Sequence, residues 1–263
     1  MTGNRKHILV LAPHPDDECL QTAGVIRSAV MAGDTVSVCF ATNGDYDGEQ
    51  VAAARVAESR QVLARLGGLA EQTYFLGYPD TGMPYRESFL WRLYEGETGL
   101  RSRWRRQETW TPEGRDFSFL RSGCHSPYTA ESFRRDLGEL LALLAPQEVY
   151  VSAPGDCHGD HDALGRFTAE AVKALRRRPK LYYYLVHADE ENRWPNRSGP
   201  LFSRPDVEGR IGKMERRPLP RGFSAGDKAA LINLYASQSP AAYGGYLLSF
   251  AKEDELLFQA VDL

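Results

Sequence analysis

A short acidic segment follows the first apolar stretch of the chain. Residues 8–12 are continuously apolar and of strand length, and residues 13–18 read Pro-His-Pro-Asp-Asp-Glu. The prolines lack the N–H groups that a strand ladder needs, so the polar residues leave the end of a buried strand. Carboxylates this close together repel one another and require a cation, a proton or backbone amides as compensation. The segment therefore has the composition of a functional site.

A simpler interpretation is that Asp16, Asp17 and Glu18 only begin a helix, because acids are favoured in a first helical turn. That interpretation leaves His14 without a role. His14 and Asp17 are three residues apart and can converge in a tight turn, and imidazole with carboxylate suits a borderline divalent ion such as zinc. Two ligands leave such a site incomplete. A third is expected at the carboxyl end of another strand of the same sheet.

Residues 149–162 repeat the arrangement of the first segment. The apolar stretch 149–153 is broken by a proline, and His158, Asp160 and His161 follow within eight residues. Either segment alone could be an ordinary polar loop. Together they indicate one site that is shared between two strand ends.

The two motifs together resemble the PIG-L/LmbE family of N-acetylglucosaminyl de-N-acetylases. The motif His-Pro-Asp-Asp-Glu at 14–18 is specific, whereas His-Gly-Asp-His at 158–161 is weak by itself. The resemblance implies a cofactor, a zinc ion (Zn²⁺), held by His14, Asp17 and His161. It also implies a small-molecule substrate, an N-acetylated sugar or glycoconjugate.

The same resemblance assigns catalytic roles. It implies that Asp16 is the general base and that His158, if protonated, donates to the developing oxyanion. Asp160 would orient a histidine from outside the ligand set and favour the charged form of His158. Some members with known sugar substrates carry a tyrosine two residues before the second-motif histidine, where this chain has Asp156. The source of an additional oxyanion donor, and the substrate subtype, are therefore left open.

Three further polar residues are candidates for contacts around the site. Arg55 and Glu58 lie in line with apolar residues of a predicted helix, so we expect them to be at least half buried. One interpretation is an ordinary ion pair between adjacent helical turns. The other is that they support the site or contact its substrate, and the family resemblance extends to an Arg-x-x-Glu motif at this place. Asp80 follows a predicted strand and precedes Gly82, so it is a candidate for binding sugar hydroxyls, although an Asx turn would explain it equally well.

The rest of the sequence alternates strand and helix patterns, which predicts an α/β fold with a Rossmann-like, mostly parallel sheet flanked by helices. The predicted strands are 8–12, 35–42, 73–76, 148–153 and 181–186; the main predicted helices are 19–32, 50–66, 129–144, 163–177 and 227–238. We expect a single domain over residues 1–263, with an insertion at about 85–128 after the third strand and an irregular segment at about 189–223.

The insertion holds three of the four tryptophans and the basic run 101–106. Arginines interleaved with tryptophan can bind phosphate or stack on sugars. The alternative is a solvated flap whose tryptophans pack on the body. Taken as a unit, the insertion is predicted to determine specificity. His125 lies in a predicted loop, and we expect it to be unrelated to the metal. His187 ends a predicted strand, and we expect it to have a structural role.

Composition narrows the class of protein. The chain has 263 residues and a formal net charge of −3. This charge gives no overall attraction for nucleic acid or for an anionic membrane. No apolar run reaches the length of a membrane span, and none forms a signal-peptide core. The four cysteines form no Cys-x-x-Cys motif, which favours reduced thiols and a cytoplasmic location. The sequence leaves a homo-oligomer possible.

The leading hypothesis is a zinc-dependent amide hydrolase that removes an N-acetyl group from an N-acetylglucosamine-type sugar. The alternative is a catalytically silent metal- or carbohydrate-binding protein on the same fold. Asp16 and His158 argue against that alternative, because neither is needed merely to hold an ion. A nucleotide-binding Rossmann protein is disfavoured, since the first strand leads into acids and no Gly-x-Gly-x-x-Gly follows it.

Overall fold

The computed structural model describes residues 5–82, 84–206 and 211–260. Within these residues one sheet has the strand order β3-β2-β1-β4-β5-β7-β6. The strands are β1 (His7–Ala12), β2 (Thr35–Thr42), β3 (Thr73–Tyr78), β4 (Glu148–Ser152), β5 (Lys180–Tyr184), β6 (Lys213–Pro218) and β7 (Asp254–Gln259). Strands β1 to β5 are parallel, and β7 runs antiparallel to both β5 and β6. The predicted Rossmann-like, mostly parallel sheet is confirmed.

Helices cover the sheet and connect its strands. They are α1 (Asp17–Ala32), α2 (Glu49–Gly67), α3 (Phe89–Tyr94), α4 (Phe117–Ser122), α5 (Ala130–Leu144), α6 (Gly159–Ala174), α7 (Ala225–Ile232) and α8 (Ala242–Gly245). Short 3-10 turns lie at Ala70–Gln72, Tyr85–Glu87, Ala236–Gln238 and Leu247–Phe250. No helix in the described part of the chain is long and apolar enough to cross a membrane.

The pairing of β1 with β4 places the two sequence motifs side by side. Both strands are apolar and buried, and they are parallel neighbours with Leu11 beside Val151. Tyr184 of β5 donates its hydroxyl to the Leu11 carbonyl at 2.9 Å, and Thr42 of β2 donates its N–H to the Pro13 carbonyl at 3.0 Å. Because parallel strands end at the same edge, the residues after β1 and β4 meet there.

Helix α6 begins four residues earlier than the sequence predicted. The expected start was Ala163, but the helix starts at Gly159 and carries Asp160 and His161 in its first turn. The His158 ring caps it by accepting the Asp160 N–H at 3.2 Å. Histidine is outside the usual set of N-cap residues, which explains why the start was missed.

The segment predicted to be irregular contains a strand. Strand β6 lies at the sheet edge, and its side chains, four of them charged, are exposed or half-buried. An edge strand with charged residues lacks the apolar pattern from which strands are predicted. The same segment also buries Trp194 and Phe202, which pack against Phe250.

The insertion after β3 contributes to the core as well as to the rim. Helix α3 lies within it, and Phe89, Leu90 and Leu93 are fully buried. The Leu90 N–H donates to Asp160 Oδ1 at 2.7 Å, so the insertion also holds a carboxylate of the second motif. Only part of the segment can therefore be a solvated flap.

A buried ion pair joins the C-terminal elements to α1. Lys228 of α7 and Glu255 of β7 are 2.9 Å apart, with side chains at most 1% exposed. The Glu255 carboxylate also accepts the N–H groups of Gly24 and Val25 in α1, at 2.8 and 3.0 Å. The pair therefore ties three elements together behind the helix that carries Asp17.

We expect Lys228→Ala to lower the free energy of unfolding by about 3–5 kcal/mol, because it leaves the Glu255 carboxylate buried without its cation. Guanidinium chloride denaturation followed by circular dichroism measures this change. Lys213→Ala removes an exposed lysine from β6 and is the matched control, with an expected change below about 0.5 kcal/mol. Similar midpoints for both variants would show that the buried pair contributes little.

Candidate active site

Three candidate metal ligands converge at the edge of the sheet. His14 Nδ1, Asp17 Oδ2 and His161 Nε2 lie 3.3 Å from one another in every pairing. All three residues are buried and form a group that could hold a metal ion. Tetrahedral ligands at zinc-bond lengths of 2.0–2.1 Å lie about 3.3–3.4 Å apart. The spacing of the three atoms therefore fits an ion of this size.

The second ring nitrogen of each histidine faces a carboxylate. His14 Nε2 lies 3.1 Å from Asp160 Oδ2, and His161 Nδ1 lies 3.5 Å from Asp156 Oδ2. A proton held on those nitrogens leaves the lone pairs of His14 Nδ1 and His161 Nε2 directed toward Asp17. Carboxylates in this position fix the tautomer and orientation of metal-binding histidines. The sequence did not identify Asp156 as such a partner. It showed only that Asp156 occupies a position where some family members have a tyrosine.

The electrostatics of this cluster favour a positive charge. Burial alone would lower the pKa of His14, but Asp80, Asp160 and Asp17 outweigh it and raise that pKa well above its ordinary value. Burial likewise opposes protonation of His161, yet Asp17 and Asp156 raise its pKa to about 10. A divalent ion would satisfy the same negative field in place of these protons.

Asp16 is held in a strained backbone conformation beside the candidate ligands. Its φ of 142° and ψ of −31° lie in a region that residues with a side chain rarely adopt. Arg55 Nη2 lies 3.2 Å from Asp16 Oδ2, and the Asp16 N–H donates to Glu18 at 3.1 Å. Burial raises the pKa of the Asp16 carboxyl to about 7, although the Arg55 charge opposes this. Strain of this kind persists only where the surroundings hold the residue in place.

Glu18 is completely buried and supports the turn from behind. Burial raises its pKa to about 8, and the Tyr235 hydroxyl donates to its carboxyl group. The sequence places Glu18 in the first motif without indicating that its partner lies more than two hundred residues away. Tyr235 lies in the predicted helix 227–238, whose pattern carries no signal of this contact.

Arg55 and Glu58 do not pair with each other. Arg55 donates through Nε and Nη2 to the Pro15 carbonyl, at 3.2 and 2.9 Å. Glu58 accepts the N–H of Ser237 at 2.9 Å and also its hydroxyl, which fixes the 3-10 turn Ala236–Gln238 at the site. The interpretation that they support the site therefore describes both residues better than the ion pair of adjacent helical turns.

Asp80 forms the Asx turn considered for it, and it also lies beside the candidate metal ligands. Its Oδ1 accepts the Gly82 N–H at 2.7 Å, which is the Asx turn that the sequence allowed. Its Oδ2 lies 3.5 Å from Arg55 Nη1, and Oδ1 lies 3.8 Å from His14 Nε2. Asp80 thus lies at the site, on the cleft wall, while it also shapes the loop after β3.

The surroundings of His158 favour its neutral form over the charged form that was considered for its role. Burial and the neighbouring His14, His161 and His187 rings lower its pKa well below the ordinary value. The Asp160 carboxylate faces His14 instead of His158, so it does not stabilise an imidazolium there. Because His158 Nδ1 accepts the Asp160 N–H, the neutral ring carries its proton on Nε2 and keeps one donor.

A cleft of about 290 Å³ opens over these residues. His187 lines it, although the sequence suggested only a structural role; its Nδ1 contacts Asn192 Oδ1 at 2.9 Å and its ring stacks on Tyr246. Its position directly after the predicted strand 181–186 was the available signal. His125, in contrast, pairs with Asp116 and is absent from the cleft lining.

Comparison with known proteins identifies the family. The sequence profile of the PIG-L family, described as GlcNAc-PI de-N-acetylase, matches residues 9–172. This span includes both motifs and more than half of the chain. The protein therefore belongs to the PIG-L family, as the resemblance predicted.

A curated relative supports this assignment, and solved structures share the fold. The 1D-myo-inositol 2-acetamido-2-deoxy-alpha-D-glucopyranoside deacetylase of Nocardia farcinica is 32% identical over 192 residues. The match covers 69% of this chain and 58% of that relative's length. The N,N'-diacetylchitobiose deacetylase from Pyrococcus horikoshii aligns with a TM-score of 0.59 at 18% identity, covering 98% of this chain and 84% of that one.

A triple mutant of a deacetylase in the teicoplanin biosynthetic pathway aligns with a TM-score of 0.61 at 13% identity. The alignment covers 99% of this chain and 100% of the other. At such identities the structural likeness establishes a common fold.

We expect His161→Ala to lose most bound metal, because it removes one of three candidate ligand atoms that lie 3.3 Å apart. Elemental analysis of protein loaded with one equivalent of zinc and passed through a desalting column measures the change. His125→Ala removes a histidine outside the cluster and should retain about one ion per chain. Equal zinc contents in the two variants would reject this ligand set.

Proposed function

We propose that the protein is a zinc-dependent de-N-acetylase, which hydrolyses the acetamide of an N-acetylglucosamine-type sugar or glycoconjugate to a free amine and acetate. The observation that carries this proposal is the triangle of ligand atoms 3.3 Å apart, at the floor of a cleft that Asp16 and His158 also line. Membership of the PIG-L family and the names of the relatives support the same reaction class.

The donor set favours zinc among common divalent ions. Two imidazoles and one carboxylate form a ligand set found in catalytic zinc sites, which keep a further position open. His14, Asp17 and His161 would hold the ion. When bound, zinc polarises the acetamide carbonyl and lowers the pKa of the attacking water, which overcomes the poor nucleophilicity of neutral water.

Asp16 is the general base in this proposal. Its carboxylate would accept a proton from the attacking water and deliver it to the nitrogen of the departing amine, so that the C–N bond breaks without an amide anion leaving. Arg55 contacts one carboxylate oxygen, and Glu18 accepts the Asp16 N–H. These contacts hold the base in one orientation.

His158 is the proposed oxyanion donor. Its neutral ring presents the Nε2–H group, while the backbone of Asp160 occupies Nδ1. A single donor of this kind contributes on the order of 3 kcal/mol to stabilising the transition state. Asp156 occupies the position where some family members have a tyrosine, but its carboxylate accepts the N–H groups of His158, Val186 and His187. It therefore supplies no second donor.

Arg55 and Asp80 are the proposed sugar contacts, since both line the cleft beside Asp16 and His14. Their side chains combine a donor and an acceptor for hydroxyl groups. The four cysteines are free thiols, which supports a cytoplasmic location for the proposed reaction. A catalytically silent binder would need neither the strained Asp16 nor the Nε2–H of His158.

We expect Asp16→Asn to keep its zinc and its fold but to lower kcat by about 10²–10⁴, because it removes the base while preserving the side-chain shape. Release of amine from a panel of N-acetylated sugars gives the rate. Asp47→Asn is the matched control: it removes an exposed carboxylate from the rim of the same cleft. Its turnover should stay within a few-fold of the unmodified protein.

Comparable rates for Asp16→Asn and Asp47→Asn would assign the proton transfer to another group. If the unmodified, zinc-loaded protein released no amine from any sugar in the panel, the de-N-acetylase proposal would be wrong for this substrate class.

A further inference from the structure

A second groove adjoins the cleft. It has a volume of about 550 Å³, and its charged lining consists of four arginines and one glutamate: Arg86, Arg92, Arg101, Arg103 and Glu87. Tyr46 lines both the groove and the cleft, and Thr81 of the groove lies between Asp80 and Gly82 of the cleft. A ligand in the cleft would thus reach the groove by passing Tyr46.

Three of the four groove arginines have no salt-bridge partner in the described part of the chain, although the Glu87 carboxylate lies in the same lining. Arg92 pairs with Glu97 at 2.8 Å, which neutralises one guanidinium. Arg101 lies within hydrogen-bond distance of the neutral side chain of Gln107. In the described part of the chain, Arg86 and Arg103 have no carboxylate partner within salt-bridge distance. Such a concentration stands out in a chain whose formal net charge is −3.

The insertion places Arg103 at the boundary between groove and cleft. The indole N–H of Trp104 donates to the Asp45 carbonyl at 2.7 Å, which anchors the insertion to the loop after β2. The Arg103 guanidinium then lies 4.2 Å from the centre of the Tyr46 ring. Gly82, at φ 66°, also leaves room for that ring, because a Cβ atom at this position would approach a ring carbon to 2.5 Å. Several independent contacts therefore hold the position.

The basic run 101–106 is divided by the fold. Arg106 pairs with Glu49 at 2.7 Å and stacks on Trp110 at 4.4 Å, so it supports the insertion instead of lining the groove. Arg105 is exposed and does not line the groove either. Arg103, together with Arg101, is the part of the run that faces the groove.

We propose that this arginine groove binds an anionic group, a carboxylate or a phosphate, carried by the aglycone of the N-acetylated sugar. The inference rests on the proposed function, because it takes the acetamide to lie in the cleft and the aglycone to extend past Tyr46. Guanidinium groups match carboxylate and phosphate oxygens in geometry and charge. Arg86 and Arg103 supply the uncompensated cations, and Tyr46 lies at the boundary, where its ring contacts the Arg103 guanidinium.

The test compares three N-acetylglucosaminides whose aglycones are phenyl, 4-carboxyphenyl and 4-phosphophenyl. The measured quantity is the ratio of kcat/KM for each anionic glycoside to that for the phenyl glycoside. We expect a ratio of about ten or more in the unmodified protein, falling at least tenfold in Arg86→Ala/Arg103→Ala, mainly through KM. Arg121→Ala removes an exposed arginine elsewhere in the insertion and should leave the ratio unchanged.

Three comparisons separate the possible sources of the effect. The carboxylate and phosphate glycosides distinguish which anion the groove prefers, and added salt should reduce both ratios, since exposed charges are screened. Arg103→Lys should retain part of the preference because it keeps the charge but loses the planar fork.

Binding measured by calorimetry with zinc-loaded Asp16→Asn protein keeps this inference separate from the proposed reaction. Tighter binding of the anionic glycosides, lost when Arg86 and Arg103 are also replaced, would support the groove even if no glycoside is hydrolysed. The inference is overturned if neither binding nor turnover distinguishes the anionic glycosides from the phenyl glycoside. It is also overturned if the double variant weakens all three alike.

Discussion

The burial of carboxylates and imidazoles at the ends of β1 and β4 is the constraint on which the rest of this structure depends. Asp16, Asp17, His14 and His161 are each at most 8% exposed. Moving an ion out of water costs several kcal/mol unless a partner compensates it. The fold supplies such partners from several elements, and a divalent ion would neutralise the charges that converge on Asp17. The site and the stability of this edge of the sheet are therefore linked.

Much of that compensation comes from residues distant in sequence. Tyr235 reaches Glu18, and the insertion donates the Leu90 N–H to Asp160. Glu58 holds the 3-10 turn at 236–238, which contributes a wall of the cleft. The insertion and the C-terminal segments thus hold side chains of the site in place, in addition to any role in substrate selection. Changes in these segments would affect ligand geometry as well as specificity.

The cleft and the arginine groove divide the chemistry between two kinds of surface. The cleft floor is buried and held by interlocking hydrogen bonds, which suits proton transfer between fixed groups. The groove is more exposed, and its four arginines all lie in the insertion after β3. Tyr46 lies between the two surfaces and contacts Arg103 on the groove side. A core reaction can thus be retained while rim residues change the group that accompanies the sugar.

The sequence by itself determined the parallel α/β architecture and the two motifs, because apolar strand runs, helix caps and strand-end polar clusters are local signals. It did not reveal the edge strand β6 or the start of α6, which lack those signals. Only the tertiary structure decided that Asp160 faces His14 instead of His158 and that Asp156 faces His161. The physical reason is that local spacing orders residues within one turn or strand. Which carboxylate meets which imidazole depends on how elements far apart in the chain pack together.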